Sequence, residues 1–154
     1  MKQPYIQINS PLGVLGIFEQ NEHIVAITYL ADQEPEKSQP TPFLTKAAKQ
    51  LNEYFSGDRK IFDLPLNPNG TAFQKKAWHA LMNIPYGTTI SYQQQAEIFA
   101  NKNYTRAVGQ ANNKNPIPII IPCHRVIGAN GKMVGYASGV KIKEWLIELE
   151  QKNN

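Results

Sequence analysis

The sequence holds a single cysteine, Cys123. One thiol excludes an internal disulfide and any multi-cysteine zinc site, and a chain that keeps a free thiol is expected in a reducing, cytoplasmic compartment. His23 and His79 have no Cys, Asp or Glu at ligand spacing, so no metal site is expected and both read as structural or surface residues. No apolar run approaches the ~20 residues of a membrane span, so no membrane role is expected. The opening MKQPYIQINSPLG has one lysine and no apolar stretch, unlike a secretory signal. What is present is an ordinary globular composition, 42% apolar and 18% charged over 154 residues, enough for one domain or two small ones.

Acidic residues are scarce in the second half. Residues 1–70 carry six Lys/Arg and eight Asp/Glu, a net −2. Residues 71–154 carry ten Lys/Arg and only four Asp/Glu, a net +6, and the two halves together give the overall +4. A basic half beside a mildly acidic one is the asymmetry of a nucleic-acid-facing surface, and equally that of a solvated basic face.

The pattern along the chain divides at the same place. YIQIN (5–9), LGVLGIF (12–18) and HIVAITYL (23–30) read as strands joined by turns at Ser10-Pro11 and at 19–22. DQEPEKSQPTP (32–42) reads as a surface loop. FLTKAAKQLNEYFSG (43–57) then spaces Leu44, Ala47, Ala48, Leu51, Tyr54 and Phe55 as one helix face, with Gly57 as the stop. LPLNPNG (64–70) is the best boundary, giving domains 1–65 and 66–154. Beyond it Thr71 can cap a helix carrying Phe73, Ala77, Trp78 and Leu81 on one face. Segments 91–100 and 105–113, separated by a four-residue polar turn, match a helix-turn-helix. The β-branched stretch NPIPIIIPCHRVIG (115–128) reads as extended, and a last helix over 140–151 turns Ile142, Trp145, Leu146 and Leu149 inward. The fold class is therefore α+β, a small sheet-plus-helix domain packed on a mostly helical one.

Two side chains carry the chemistry in this pattern. A lone cysteine is usually a small buried hydrophobe, but Cys123 follows Pro122 and precedes His124-Arg125, an electropositive setting that favours thiolate. Successive residues of a strand face opposite ways, so for His124 to serve as base the chain must bend there or a water must bridge. Otherwise His124 is a structural histidine. Arg106, in the first turn of the second helix of the pair and followed by Ala107 and Gly109, is either a surface cation or a side chain able to enter a groove or replace a displaced base.

IPCHRVIG (121–128), together with PYGTTISYQQ (85–94), RAVGQANNKNP (106–116), GYASG (135–139) and KEWLIELE (143–150), resembles the O6-alkylguanine-DNA alkyltransferases in order and spacing across 71–154. The N-terminal part fits by length and strand-then-helix pattern. The resemblance implies a ribonuclease H-like N-terminal domain and direct repair of double-stranded DNA containing O6-alkylguanine by a monomer without a cofactor. It implies one irreversible transfer of an alkyl group to Cys123. By the same resemblance His124 is the base acting through a water, Glu150 orients it, Asn115 braces the turn, and Tyr92 helps swing the nucleotide out and donates to the base. Arg106 fills the vacated stack, Tyr136 walls the guanine pocket, and DNA contacts also come from Ser91, Gln93, Ala107, Gly109 and Arg125. The zinc ligands that some members carry in the N-terminal part are absent here. Two other readings are weighed against this one. Non-enzymatic relatives that flag alkylated DNA usually have Trp in place of the cysteine, against which Cys123 argues. A cysteine hydrolase would explain Cys123 and His124 but not the basic helix-turn-helix.

Overall fold

The computed structural model describes residues 3–30, 33–37, 39–131, 136 and 139–154. Asp32 and Ser38 of the expected loop, and Gly135, Ala137 and Ser138 of GYASG, lie outside the described residues. The chain divides into two compact units, 1–69 and 70–154.

In the first unit, β1 (Tyr5–Ile8), β2 (Leu15–Gln20) and β3 (His23–Tyr29) form an antiparallel sheet in the order β1-β2-β3. The β2–β3 hairpin is tight because Asn21 and Glu22 both take positive φ, 52° and 60°, the geometry a two-residue turn needs to match strand twist. Helix α1 (Pro42–Phe55) follows, with Thr41 accepting from the Leu44 amide and Pro42 in the first turn, where a missing N–H costs nothing. The six apolar side chains spaced as one face are all buried, and Gly57 at φ 82° ends the helix. Residues 65–67 return along β3, where Ile24 donates to Pro65 O and accepts from Asn67 N.

The second unit begins with α2 (Ala72–Leu81). Thr71 and Gln74 form a capping box, each side chain satisfying the other's backbone amide. Ser91 and Gln94 repeat the device at α3 (Tyr92–Phe99). A single 3₁₀ turn, Lys102–Tyr104, leads into α4 (Thr105–Asn113), so the helix pair expected at 91–113 is present. Two buried ties hold it to α2. Trp78 Nε1 donates to Ala111 O at 2.8 Å, and the amides of Gln95 and Asn112 bond reciprocally at 3.0 and 2.7 Å while Gln95 also reaches Ala77 O.

Two expectations are corrected here. Residues 115–122 do not form an extended strand; they turn tightly, with Ile121 N donating to Ile117 O and Ile119 at φ +76°, rare for a β-branched residue. The sheet content is two residues, β5 (Val126–Ile127), parallel to β4 (Ile90–Ser91). The prolines at 116, 118 and 122 lack the amides a ladder needs, which the β-branched composition conceals. The second correction concerns the final helix, α5 (Val140–Lys152). Its fully buried face is Lys143, Leu146, Ile147 and Glu150, while Ile142, Trp145 and Leu149 are only half-buried. An apolar count cannot find a face built half of charged residues. Among the described residues no helix is long and apolar enough to cross a membrane.

Thr71→Ala removes one half of the first capping box and is expected to cost about 1 kcal/mol, a fall of roughly 2–4 °C in Tm for a chain of this size. Thr71→Ser should be near neutral. Thermal unfolding of both variants checks this, and equal losses would count against the cap.

Candidate active site

The site is built on the turn that follows α4. Asn115 organises it: Oδ1 accepts from Ile117 N at 2.9 Å, and Nδ2 donates to Ile121 O at 2.9 Å and to Cys123 Sγ at 3.2 Å. Pro122, at φ −83° and ψ 65° with Cys123 N donating to Ile121 O at 2.8 Å, is the centre of an inverse γ-turn. The chain then enters a 3₁₀ turn over Cys123–Arg125. Of the two arrangements that the adjacency of Cys123 and His124 left open, a bend or a bridging water, the backbone does bend here. In a 3₁₀ turn neighbouring side chains are not opposed as they are on a strand, and here all three are buried.

Glu150, on the last turns of α5 and 1% exposed, gathers the donors. Its Oε2 lies 2.5 Å from His124 Nε2. Arg125 grips both oxygens, Nε to Oε1 at 2.8 Å and Nη2 to Oε2 at 3.1 Å, and sends Nη1 to Ile84 O at 2.7 Å. The Gly87 amide adds a bond to Oε1 at 3.2 Å. Burial alone raises the Glu150 carboxyl, but the bonds and charges of His124 and then Arg125 outweigh it and set it at about 2. Burial pushes the His124 imidazole down, against the bond and charge of Glu150, and Arg125 and Lys143 push the same way as burial. The net direction favours the neutral ring. With Nε2–H given to a carboxylate, the lone pair sits on Nδ1, which is buried and has no hydrogen-bond partner among the described residues. That nitrogen is available to accept a proton.

Burial raises the Cys123 thiol, and Asn115, the Lys143 charge, its own backbone and a bond from Tyr136 oppose the rise. Lys143 is fully buried, its Nζ donates to the Tyr92 phenol Oη at 3.3 Å, and it stands over the Tyr92 ring at 5.5 Å. Burial lowers it to about 8, with the Cys123 charge working against that shift. Burial and then Cys123 raise the Tyr92 phenol.

The expected residues thus fall into groups. Asn115 and Tyr136 bond to the Cys123 thiol and Tyr92 feels its charge, while Glu150 holds His124, the next residue along the turn. Arg106 is exposed in the first turn of α4, with Ala107 and Gly109 half-buried on the same helix. A Cβ on Gly109 would meet the Tyr92 ring at 3.7 Å, ordinary contact, so space alone does not require glycine there. Gln93 is exposed and donates to Glu97, whereas the Ser91 hydroxyl is occupied as the α3 cap. Arg125 is a correction: its guanidinium is buried on Glu150, Ile84 and Tyr86 rather than turned outward. Sequence reasoning passed over Lys143 and Gly87. The signal for Lys143 was its place seven residues before Glu150, on the same helix face.

Fold and site together define a two-unit α+β protein whose helix-turn-helix leads into a buried thiol with its own base. Two family models cover nearly the whole chain, the ribonuclease-like domain of 6-O-methylguanine DNA methyltransferase over residues 4–68 and its DNA-binding domain over 72–152. A methylated-DNA–protein-cysteine methyltransferase of Methanosarcina acetivorans is 45% identical, covering 95% of this chain and 97% of its own. The crystal structure of Mycobacterium tuberculosis O6-methylguanine methyltransferase superposes with a TM-score of 0.87 at 40% identity, covering 99% and 95% of the two chains. The M. tuberculosis OGT in complex with DNA gives 0.86 at 42% identity, covering 96% and 92%. The chain belongs to the 6-O-methylguanine DNA methyltransferase family.

The carboxylate at the centre makes stability depend on acid. Glu150 ionises at about 2 when folded and near its ordinary 4.5 when unfolded, so its contribution is complete above about 4.5 and is lost as pH falls towards 2. Over that window the native protein is expected to lose a few kcal/mol that Glu150→Gln, already destabilised at neutral pH, does not lose. Denaturant melts of both at several pH values measure it; parallel slopes would show that Glu150 is not held ionised.

Proposed function

We propose that this protein repairs DNA directly, taking the alkyl group of O6-alkylguanine onto Cys123 in a single turnover. The observation that carries the reading is the buried thiol of Cys123 beside His124, whose free lone pair is fixed on Nδ1 by Glu150. The thiol proton passes to Nδ1, through a water. Sγ then attacks the alkyl carbon, the S–C bond forms, the C–O6 bond breaks, and guanine leaves with a proton gained at the ring. An alkyl carbon on an aryl ether suits a soft thiolate nucleophile. The thioether has no good leaving group, so the protein is consumed.

The reacting carbon is out of reach inside a duplex, and extruding the nucleotide costs a few kcal/mol. Arg106, exposed at the start of α4, fills the vacated stack, while Ser91, Gln93, Ala107 and Gly109 lie along the DNA side of the helix pair. Tyr92 donates to the extruded base, and Lys143 behind it keeps the phenol oriented as a donor. Asn115 holds the thiol in place, and Tyr136 closes the pocket beside it. All these groups come from one chain, so a monomer suffices, and a reactive free thiol suits a reducing cytoplasm.

Mixed with duplex DNA containing O6-methylguanine, the intact protein should gain one methyl group, located at Cys123 by peptide mass spectrometry. Unmodified Cys123 after complete mixing would overturn the proposal. Cys123→Ala should bind the same DNA in a gel shift without transfer, and Arg106→Ala should slow single-turnover transfer roughly tenfold. An unchanged rate in the latter removes Arg106 from the site.

A further inference from the structure

Arg125 is the permanently charged side chain of the CHR turn, and it is buried. We propose that Arg125 is a positioning residue for the proton transfer, gripping both oxygens of Glu150 and thereby fixing which nitrogen of His124 carries the proton. This deepens the reading of Cys123 as alkyl acceptor and rests on it.

The geometry is specific to a guanidinium. Three of its nitrogens are used in one plane, two on Glu150 and one on Ile84 O, and the Tyr86 ring stands 5.7 Å from its centre. A lysine ammonium cannot make that fork. The grip does two things. It orients the carboxylate so that Oε2 accepts from Nε2 of His124, leaving Nδ1 bare. It also balances the carboxylate charge within the buried cluster. In a dry site an unshared carboxylate draws a proton onto a neighbouring imidazole and holds it as imidazolium, which cannot accept a proton from a thiol. With the guanidinium in place, a protonated His124 would leave the cluster net positive. Among the described residues, the charged groups acting on His124 are Glu150 and Lys143 from α5 and Arg125 from its own turn. Tyr86, on the turn after α2, faces Glu150 and Arg125 in addition. Both cations disfavour imidazolium, and Arg125 grips the carboxylate that favours it.

A plain structural staple would lower stability and slow transfer equally at every pH. A positioning role makes the loss depend on pH. Single-turnover methyl transfer is therefore followed from about pH 6 to about pH 9 for the native protein, Arg125→Met and Arg125→Lys. Arg125→Met keeps the stem and removes the charge. It should be roughly tenfold or more slower than native at the acid end and recover to within about threefold at the alkaline end, as the imidazole loses its extra proton. Arg125→Lys keeps a charge in place and should retain the native pH profile despite a lower Tm. A loss in Arg125→Met that is the same at every pH overturns the proposal. Should Arg125→Met fail to fold, the nitrogen-15 shifts of His124 in the native protein decide instead. They are expected to report a neutral ring protonated on Nε2 at neutral pH, and an imidazolium or an Nδ1–H ring overturns the proposal. Failure of the native protein to accept a methyl group would overturn the alkyl-acceptor reading, while the His124 spectrum would still decide the role of Arg125.

Discussion

The carboxylate of Glu150 is where the second unit is tied together. It accepts from His124, from two nitrogens of Arg125 and from the Gly87 amide, so one side chain joins α5, the 3₁₀ turn carrying the thiol and the turn after α2. Burying a carboxylate is costly unless its lone pairs are used. Here the donors come from two segments far apart in sequence, Gly87 and His124-Arg125, and the carboxylate is satisfied only when both are in place. Forming the site and folding this unit are to that extent one event. A group that orients a base is commonly left on a loop; Glu150 is placed instead on a helix whose inner face also carries Leu146 and Ile147, so the base is held by a packed element.

The thiol is fixed by an equally local device. Asn115 spans the Ile117–Cys123 turn with three hydrogen bonds and donates to sulfur itself. Its own amide donates to Asn112 O at the end of α4, and Asn112 is clasped to Gln95 of α3. The helix expected to face DNA and the atom expected to react are thus linked by a short run of bonds within one unit. Displacement of α4 is felt at Cys123 with few soft joints between. The left-handed backbone at Ile119 lies inside the same turn. A β-branched residue takes that conformation only where the surroundings over-determine it.

What the sequence disclosed follows from what its patterns encode. The three strands, the apolar face of α1 with its Gly57 stop, the helix capped at Thr71 and the helix pair over 91–113 were legible because local signals and burial agree there, whereas Pro42 read as loop and opens α1. The thiol, its adjacent imidazole and the glutamate were legible through a motif that resembles a family, and the need for a bend or a bridging water at Cys123–His124 followed from strand geometry alone. The failures share one cause. Residues 115–122 are apolar and β-branched yet held in turns by Asn115 and three prolines, and α5 buries Lys143 and Glu150 where an apolar count sees only surface. Arg125 was placed among cations free to meet a phosphate because its partner lies 25 residues on. A pattern reads what a residue prefers; it does not read which polar partner makes burial of that residue affordable.

The same distinction changes the meaning of the charge. Of the ten cations in residues 71–154, Arg125 and Lys143 are buried and Lys132 lies outside the described residues. The seven others, Lys75, Lys76, Lys102, Arg106, Lys114, Lys141 and Lys152, are exposed, against three exposed acids, Glu97, Glu144 and Glu148. An excess of four positive charges therefore remains outside even after the buried ones are removed, which is the part that can attract a polyanion and that salt can screen. The buried pair acts over ångströms: Arg125 on Glu150, Lys143 on Tyr92 and on the thiol. The outer charges can attract a polyanion of any sequence, whereas the buried pair acts only on its immediate neighbours. Long-range attraction and short-range positioning thus use separate sets of cations, and a substitution that weakens one need not touch the other.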